Sequence, residues 1–279
     1  MSTTALIDGD IIAFRMAARH EEKVQFPGCE PTYEVKPEGL YEHIDELIDA
    51  WSHKVGADHT LVALTSPDNW RKKVLPSYKA NRIGVHVPAL RKDAEDYIRE
   101  TQDCWERPTL EADDILGILS THKTLIPGKK VICTVDKDLR QIPGYFYNPM
   151  KGEVEHISAK EANYQFYKQC LTGDTVDGFY GCPGMGPKTA EKILDAYLAG
   201  EGRAMLPREH EFKRGPRKGQ TETRWEEVPH AHIWEIIVTH YEKAGLTEAD
   251  ALQQARVARI CRARDYDYKL KEVKLWTPR

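Results

Sequence analysis

Apolar and polar positions follow two different periods along the first half of the chain. Short solid apolar runs occur at 4–8 ("TALID"), 59–65 ("HTLVALT") and 130–135 ("KVICTV"). Such runs read as strands covered on both faces, as in a parallel sheet. Between them the period lengthens to that of a helix. Leu40, Ile44, Leu47, Ile48, Trp51 and Val55 share one stripe over 40–55, and "IIAFRMAAR" after Asp8 reads as helix too. So do "PALRKDAEDYIRETQ" (88–102), which opens on a proline, and "LEADDILGILSTH" (110–122). Strands alternating with helices predict an α/β domain with a mainly parallel central sheet. After about residue 157 the strand signal fades. Helices are expected around a glycine-rich stretch within 158–196. Residues 203–230 mix prolines, glycines and charges without a period and read as a loop or insertion. Two closing helices follow, in "HIWEIIVTHYEKAG" and "LTEADALQQARVARICRA". The pattern divides the chain into 1–157 and a helical region over 158–279.

Composition narrows the class. With 279 residues, 41% apolar and 30% charged, the chain has ample material for a core. A net charge of -4 gives no global field for a polyanion, so a nucleic-acid partner would need local basic patches. The six cysteines include no C-x-x-C pair, which leaves neither a zinc site nor a redox pair, and scattered thiols suit a reducing compartment. The start is acidic by residue 8, unlike a secretory signal, and no apolar run reaches membrane-spanning length. A cytoplasmic protein is expected.

The candidate chemistry lies in carboxylates that recur after the apolar runs: Asp8; Glu111, Asp113 and Asp114; Asp136 and Asp138; Asp174 and Asp177. Singly, each has an ordinary explanation as a helix cap or a first-turn acid. Together they do not, because a parallel sheet gathers strand ends at one edge. Carboxylates crowded there repel one another unless a cation relieves them. An all-oxygen set suits a hard ion, Mg²⁺ or Mn²⁺. Paired ions of this kind clamp the attacking and leaving oxygens of a phosphodiester displacement.

Two further stretches point to nucleic acid. Residues 69–92 carry seven Lys or Arg and no acid, with Trp70 and Tyr78 interleaved. Aromatic faces can stack on bases while the cations meet phosphates. "GCPGMGPKT" (181–189) nearly fits a nucleotide-binding loop, but Pro187 stands where lysine should follow the second glycine, and no strand precedes it. A helix–hairpin–helix fits better. Gly184 and Gly186 would form a tight turn, Pro187 would open the helix, and the amides near Lys188 and Thr189 would face a backbone phosphate.

These motifs, "LIDGD" (6–10), "VLPSYKANR" (74–82), "LEADDI" (110–115), "VDKDLRQI" (135–142) and "LTGDTVDGFYGCPGMGPKTAEKIL" (171–194), together resemble the 5′-nuclease family. That family includes flap endonucleases, the 5′-nuclease domain of bacterial DNA polymerase I, and the 5′→3′ exonucleases of small tailed bacteriophages, to which the tail is also similar. The resemblance implies a PIN-like nuclease domain (1–157) with a helical arch near 69–92. A DNA-binding helical region would follow (158–279), with a helix–hairpin–helix near 171–196. It implies two divalent ions held among Asp8, Asp68, Glu111, Asp113, Asp114, Asp136, Asp138, Asp174 and Asp177. Asp68 in "TSPDNWRKK" is the candidate for the family's acid between the second strand and the arch, although it lies nearer Trp70 than the pattern expects. Asp136 and Asp138, with Lys79 and Arg82, would act in catalysis. Tyr78, Lys79 and Arg82 match the arch's "YKxxR", which engages the 5′ strand. Gly184, Gly186, Lys188 and Thr189 match the duplex-binding turn, which often holds K⁺. The implied activity is hydrolysis of duplex, 5′-ended or flapped DNA, or of RNA in RNA–DNA hybrids, by a monomer in phage replication. A PIN-class ribonuclease and a non-catalytic DNA-binding protein are the competing readings.

Overall fold

The computed structural model describes residues 2–278, and the chain forms two compact units. The first comprises the residues up to Lys73, Ile83–Ala162 and Ile260–Leu275. Its sheet is built from β1 (Thr3–Asp8), β4 (His59–Ala63), β5 (Cys104–Trp105), β6 (Lys129–Cys133), β7 (Gly144–Asn148) and β8 (Glu153–Ile157), in the order β5-β4-β1-β6-β7-β8. β1 is central, with Leu6 opposite Leu61 on one side and Ile132 on the other, both in parallel register. Only the β7–β8 pair is antiparallel. The helices are α1 (Gly9–Arg19), α2 (Leu40–Lys54), α4 (Arg91–Thr101) and α5 (Ala112–Thr121). A small hairpin, β2 (Glu21–Val24) with β3 (Thr32–Val35), follows α1. Ile12, Ile44, Trp51 and Ile98 from the helices pack with Ile7, Val62 and Val131 from the strands.

The predicted strands and helices of this half are present, as an α/β fold with a mostly parallel central sheet. β7 and β8 were not legible, because their exposed residues break up the apolar runs. The helix expected over 88–102 starts at Arg91, after a turn through Pro88. The stretch expected to hold an arch carries only short helical turns, α3 (Arg71–Val74) and a 3₁₀ turn at Ala80–Arg82.

The second unit comprises Val74–Arg82, Asn163–Arg259 and the residues from Trp276 on. A single boundary at 157 therefore differs from the observed division, in which 74–82 and 260–275 each join the unit remote from them in sequence. Most of α6 (Ala159–Thr172) belongs here, with α7 (Pro187–Leu198), α8 (Ile233–Lys243) and α9 (Glu248–Ala258). Phe166, Leu171, Leu194, Ile237, Tyr241 and Ala255 form its core, and Tyr241 donates a 2.6 Å hydrogen bond to the Cys170 carbonyl. The stretch expected as a loop at 203–230 is instead an antiparallel ribbon of β9 (Arg203–Glu211) and β10 (Thr221–Pro229). Its alternation carries little apolar contrast because nearly all of it faces water, which is why periodicity missed it.

Candidate active site

In the first unit the carboxylates stand where a parallel sheet delivers them, beyond the carboxyl ends of β1 and β6. Asp8 ends β1 and caps α1. One oxygen accepts from the Ile11 amide at 3.2 Å and the other from the Thr134 hydroxyl at 2.8 Å. Asp136 follows β6 and caps a 3₁₀ turn through a 2.7 Å bond from the Asp138 amide, while its own amide bonds Thr134 Oγ1 at 3.0 Å. Thr134 thus ties both strand ends together. Burial pushes the Asp8 carboxyl up to about 7, with the neighbouring charges of Asp10 and Asp136 adding to the effect. The two neighbouring acids add like-charge repulsion to the cost of burial. Asp10 was not singled out in the sequence, although it lies in the same "LIDGD". It accepts from the Thr65 amide at 3.1 Å, which joins the start of α1 to the end of β4.

The start of α5 supplies the next group. Glu111 is the N-cap and Asp114 closes a capping box with it. Arg71 lies against both, buried to 2% exposure. Its guanidinium grips Asp114 with two parallel bonds of 2.7 and 2.8 Å and reaches Glu111 Oε2 at 2.8 Å. Trp70 Nε1 and the Cys261 amide also donate to Asp114, at 2.9 and 3.0 Å. Burial alone would raise the Asp114 carboxyl, but Arg71, together with the Cys261 amide and Trp70 Nε1, more than offsets it and holds the group below its ordinary range. Both Asp114 oxygens are engaged by the protein's own donors, which anchor it at the start of α5. Asp113 beside Glu111 is partly buried. Asp138 is likewise only partly buried. Asp68 is exposed in a bend after Pro67, as an ordinary turn residue also would be.

No three His, Cys, Asp or Glu side chains among the described residues are already closed around one point. The donor chemistry still fits a hard cation. Every candidate is a carboxylate, and a bound cation would offset both the burial of the Asp8 charge and the repulsion from Asp10 and Asp136.

The second unit holds the other two acids. Asp177 accepts from Tyr78 Oη at 3.0 Å, lies 3.7 Å from Lys79 Nζ and pairs with Arg82. Lys79 has φ +56 and its amide bonds the Asp177 carbonyl at 2.8 Å. One carboxylate therefore organises the whole "YKxxR" segment. Asp174 spends one oxygen on the Val176 amide in its own loop, at 2.8 Å. The expectation that aromatic faces in 69–92 stack on bases is corrected here. Tyr78 is 3% and Trp70 5% exposed, each with its polar tip on a carboxylate, so neither offers a free ring face. The glycine stretch forms the expected turn before α7, with Pro187 in the first helical turn. Gly184 has φ +75 and open space where a Cβ would stand. Gly186 is extended at φ -84, so only Gly184 needs the left-handed region. Gly184, Gly186, Lys188 and Thr189 are all exposed.

Residues 3–166 match the family model of the 5′-3′ exonuclease, N-terminal resolvase-like domain. The exodeoxyribonuclease of Enterobacteria phage T3 is 36% identical over 238 residues, covering 82% of this chain and 76% of that protein. The exonuclease of Escherichia phage T7 is 34% identical over 226 residues, covering 78% and 73%. Among solved structures, the T5 D15 protein co-crystallised with metal ions superposes with a TM-score of 0.60 at 14% identity, over 92% of this chain and 88% of that one.

Proposed function

The chain belongs to the 5′-3′ exonuclease family, and from that premise we propose that it hydrolyses DNA phosphodiesters with two divalent ions, Mg²⁺ or Mn²⁺. The observation that carries the metal dependence is the crowding of Asp8, Asp10 and Asp136 beyond the sheet edge, with the Asp8 carboxyl lifted to about 7. Asp8, Glu111, Asp113, Asp136 and Asp138 are the residues that would hold metal in the first unit, with Asp68 and Asp114 further candidates. Asp174 and Asp177 are the candidates in the second. When bound, such ions polarise the phosphate and lower the pKa of an attacking water.

The protein's own groups do the remaining work. Thr134 and the Ile11 amide fix the direction of Asp8, and the Asp138 amide fixes Asp136. Arg71 and Asp114 hold the start of α5, so that Glu111 and Asp113 keep their orientation. Lys79 and Arg82 act on the reacting phosphate, where fixed positive charge contributes most as charge develops. Their present pairing with Asp177 keeps them ordered until the substrate's phosphate competes for them. The turn at Gly184–Gly186 and the amide end of α7 hold the duplex part of a 5′-ended or flapped substrate, with the enzyme acting as a monomer.

The test is single-turnover cleavage of 5′-labelled duplex and flap DNA across a Mg²⁺ titration. Asp136→Asn and Asp138→Asn should lower the rate by at least a hundredfold, about 2.7 kcal/mol on the barrier, while DNA binding survives. Lys79→Ala should lower the rate more than the affinity. Full activity of the parent in excess EDTA would overturn the metal requirement.

A further inference from the structure

The β9–β10 ribbon has no part in the chemistry above, and its construction is unusual. Two nine-residue strands rise about 3.3 Å per residue, a reach of roughly 30 Å. Only the base is packed: Ala204 and Met205 are buried, and the Met205 amide bonds Thr239 Oγ1 of α8 at 3.0 Å. Beyond that, both faces lie largely in water. A two-stranded ribbon that buries so little adds little to stability, so its exposed surface is what needs an explanation.

The two faces differ in charge. The register puts Arg208 opposite Arg224, and His210 opposite Glu222. By strand alternation Phe212 continues this face. On the other face the same register brings Glu209 and Glu211 beside Thr223 and Thr221. Two arginines directly across from each other repel. On the first face Glu222 offsets part of this, bonding Arg224 at 2.6 Å and Arg217 at 3.0 Å. Arg217 also stacks at 3.8 Å on the Phe212 ring. Arg217 and Arg224 are thus held around one ring and one carboxylate, while Arg208 lies 3.9 Å from Glu226 on the same face. At the tip, Lys213, Arg214, Arg217 and Lys218 follow one another with no acid between Glu211 and Glu222, and residues 213–220 are all exposed. Lys213, Arg214 and Lys218 have no carboxylate partner among the described residues. In a chain of net charge -4, this is a local cationic end on an otherwise acidic protein.

We infer that the ribbon is a nucleic-acid-binding arm, whose tip and arginine face engage backbone phosphates of duplex DNA away from the scissile bond. The inference rests on the DNA-hydrolase reading and adds to it a surface that raises affinity without entering the reaction. Phosphate is the ligand that suits it: closely spaced cations with little apolar area fit a polyanion, and pre-ordered arginines lose little freedom on meeting one. A paired ribbon also fits a duplex groove.

The test compares the parent with Lys213→Ser/Arg214→Ser/Lys218→Ser and with the corresponding triple Glu variant. Binding to a 5′-flapped duplex is measured in Ca²⁺ by fluorescence anisotropy at several salt concentrations, and single-turnover cleavage in Mg²⁺ at saturating DNA. The tip is exposed, and matching circular dichroism melts establish that the variants fold. The Ser variant should weaken Kd about tenfold at low salt, and the Glu variant more. The slope of log Kd against log salt should fall by about 2 to 3, since each lost phosphate contact removes about 0.9. The saturated cleavage rate should stay within twofold of the parent. Unchanged Kd and salt slope in a variant that cleaves normally would overturn the arm and leave the nuclease reading standing. A fall in the saturated rate with unchanged affinity would also overturn it. Absence of cleavage by the parent is a separate result, against the nuclease reading itself.

Discussion

Asp8 carries the most informative electrostatics in the molecule. Its carboxyl titrates near 7 in the folded chain against an ordinary 3.8. Between those values the metal-free folded protein keeps a proton that the unfolded chain has released. Stability therefore falls as pH rises through that window and is level above it. Asp8→Asn keeps an acceptor for Thr134 and removes the titration. In EDTA, the variant should match the parent near pH 4 and exceed it at pH 8, by at most about 4 kcal/mol. Urea denaturation at the two pH values reads this directly, and a parent that loses nothing against the variant would contradict the crowding. Arg71 makes the opposite case, an ion pair whose removal strands its partners. Arg71→Ala leaves Asp114 buried at 0% exposure without its main counter-charge and should cost about 3–5 kcal/mol. Arg71→Ala/Asp114→Ala should lose much less than the sum of the two single changes, measured as a double-mutant cycle. The acids were legible because each follows a short apolar run. Arg71 was not. In sequence it is one cation in a basic stretch, and only the fold turns it inward.

Among the elements, α5 does the most positioning, and a late segment of the chain holds it. The Cys261 amide bonds Asp114, and the Ala263 amide bonds Thr121 Oγ1 at 2.8 Å, so both ends of the helix are tied to 261–263. Arg262 adds a 2.6 Å bond to the Gln141 carbonyl, which fastens the same segment to the end of the turn that carries Asp138. The contact is close because Gly117 has no side chain: a Cβ there would stand 2.3 Å from the Cys261 carbonyl. Gly117→Ala should therefore destabilise the protein by about 1–3 kcal/mol, despite alanine's better helix propensity. A urea midpoint that rises instead would show that the segment is free to move away. Helical periodicity identified α5 and its acids. It carried no sign that residues 260–275 return to this unit, because a non-local contact leaves no local pattern.

At the scale of the whole molecule, divalent ions should act as ligands of the folded state. Binding to the folded state alone stabilises by about 2.7 kcal/mol at a hundredfold excess over Kd. Mg²⁺ should accordingly raise the melting temperature of the parent, and raise that of Asp136→Asn less, in differential scanning fluorimetry with EDTA as baseline. An equal rise in both would place the ions elsewhere. Much of this protein is determined by its sequence alone. The strand and helix order, the acids at strand ends and the glycine turn are local patterns, since periodicity and capping depend on near neighbours. So is the ordered set of motifs that marks the family. Tertiary structure decided what local pattern cannot encode. It buried Trp70, Arg71 and Tyr78 on carboxylates, although the sequence shows them as part of an exposed basic stretch. It set Asp114 apart from Glu111 by surrounding it with donors. It paired 203–211 with 221–229, where neither strand has an apolar face to reveal it. In the first two cases the deciding interaction joins residues far apart in sequence or depends on which side of an element is covered; in the third, two exposed strand faces give the pairing no apolar period to read.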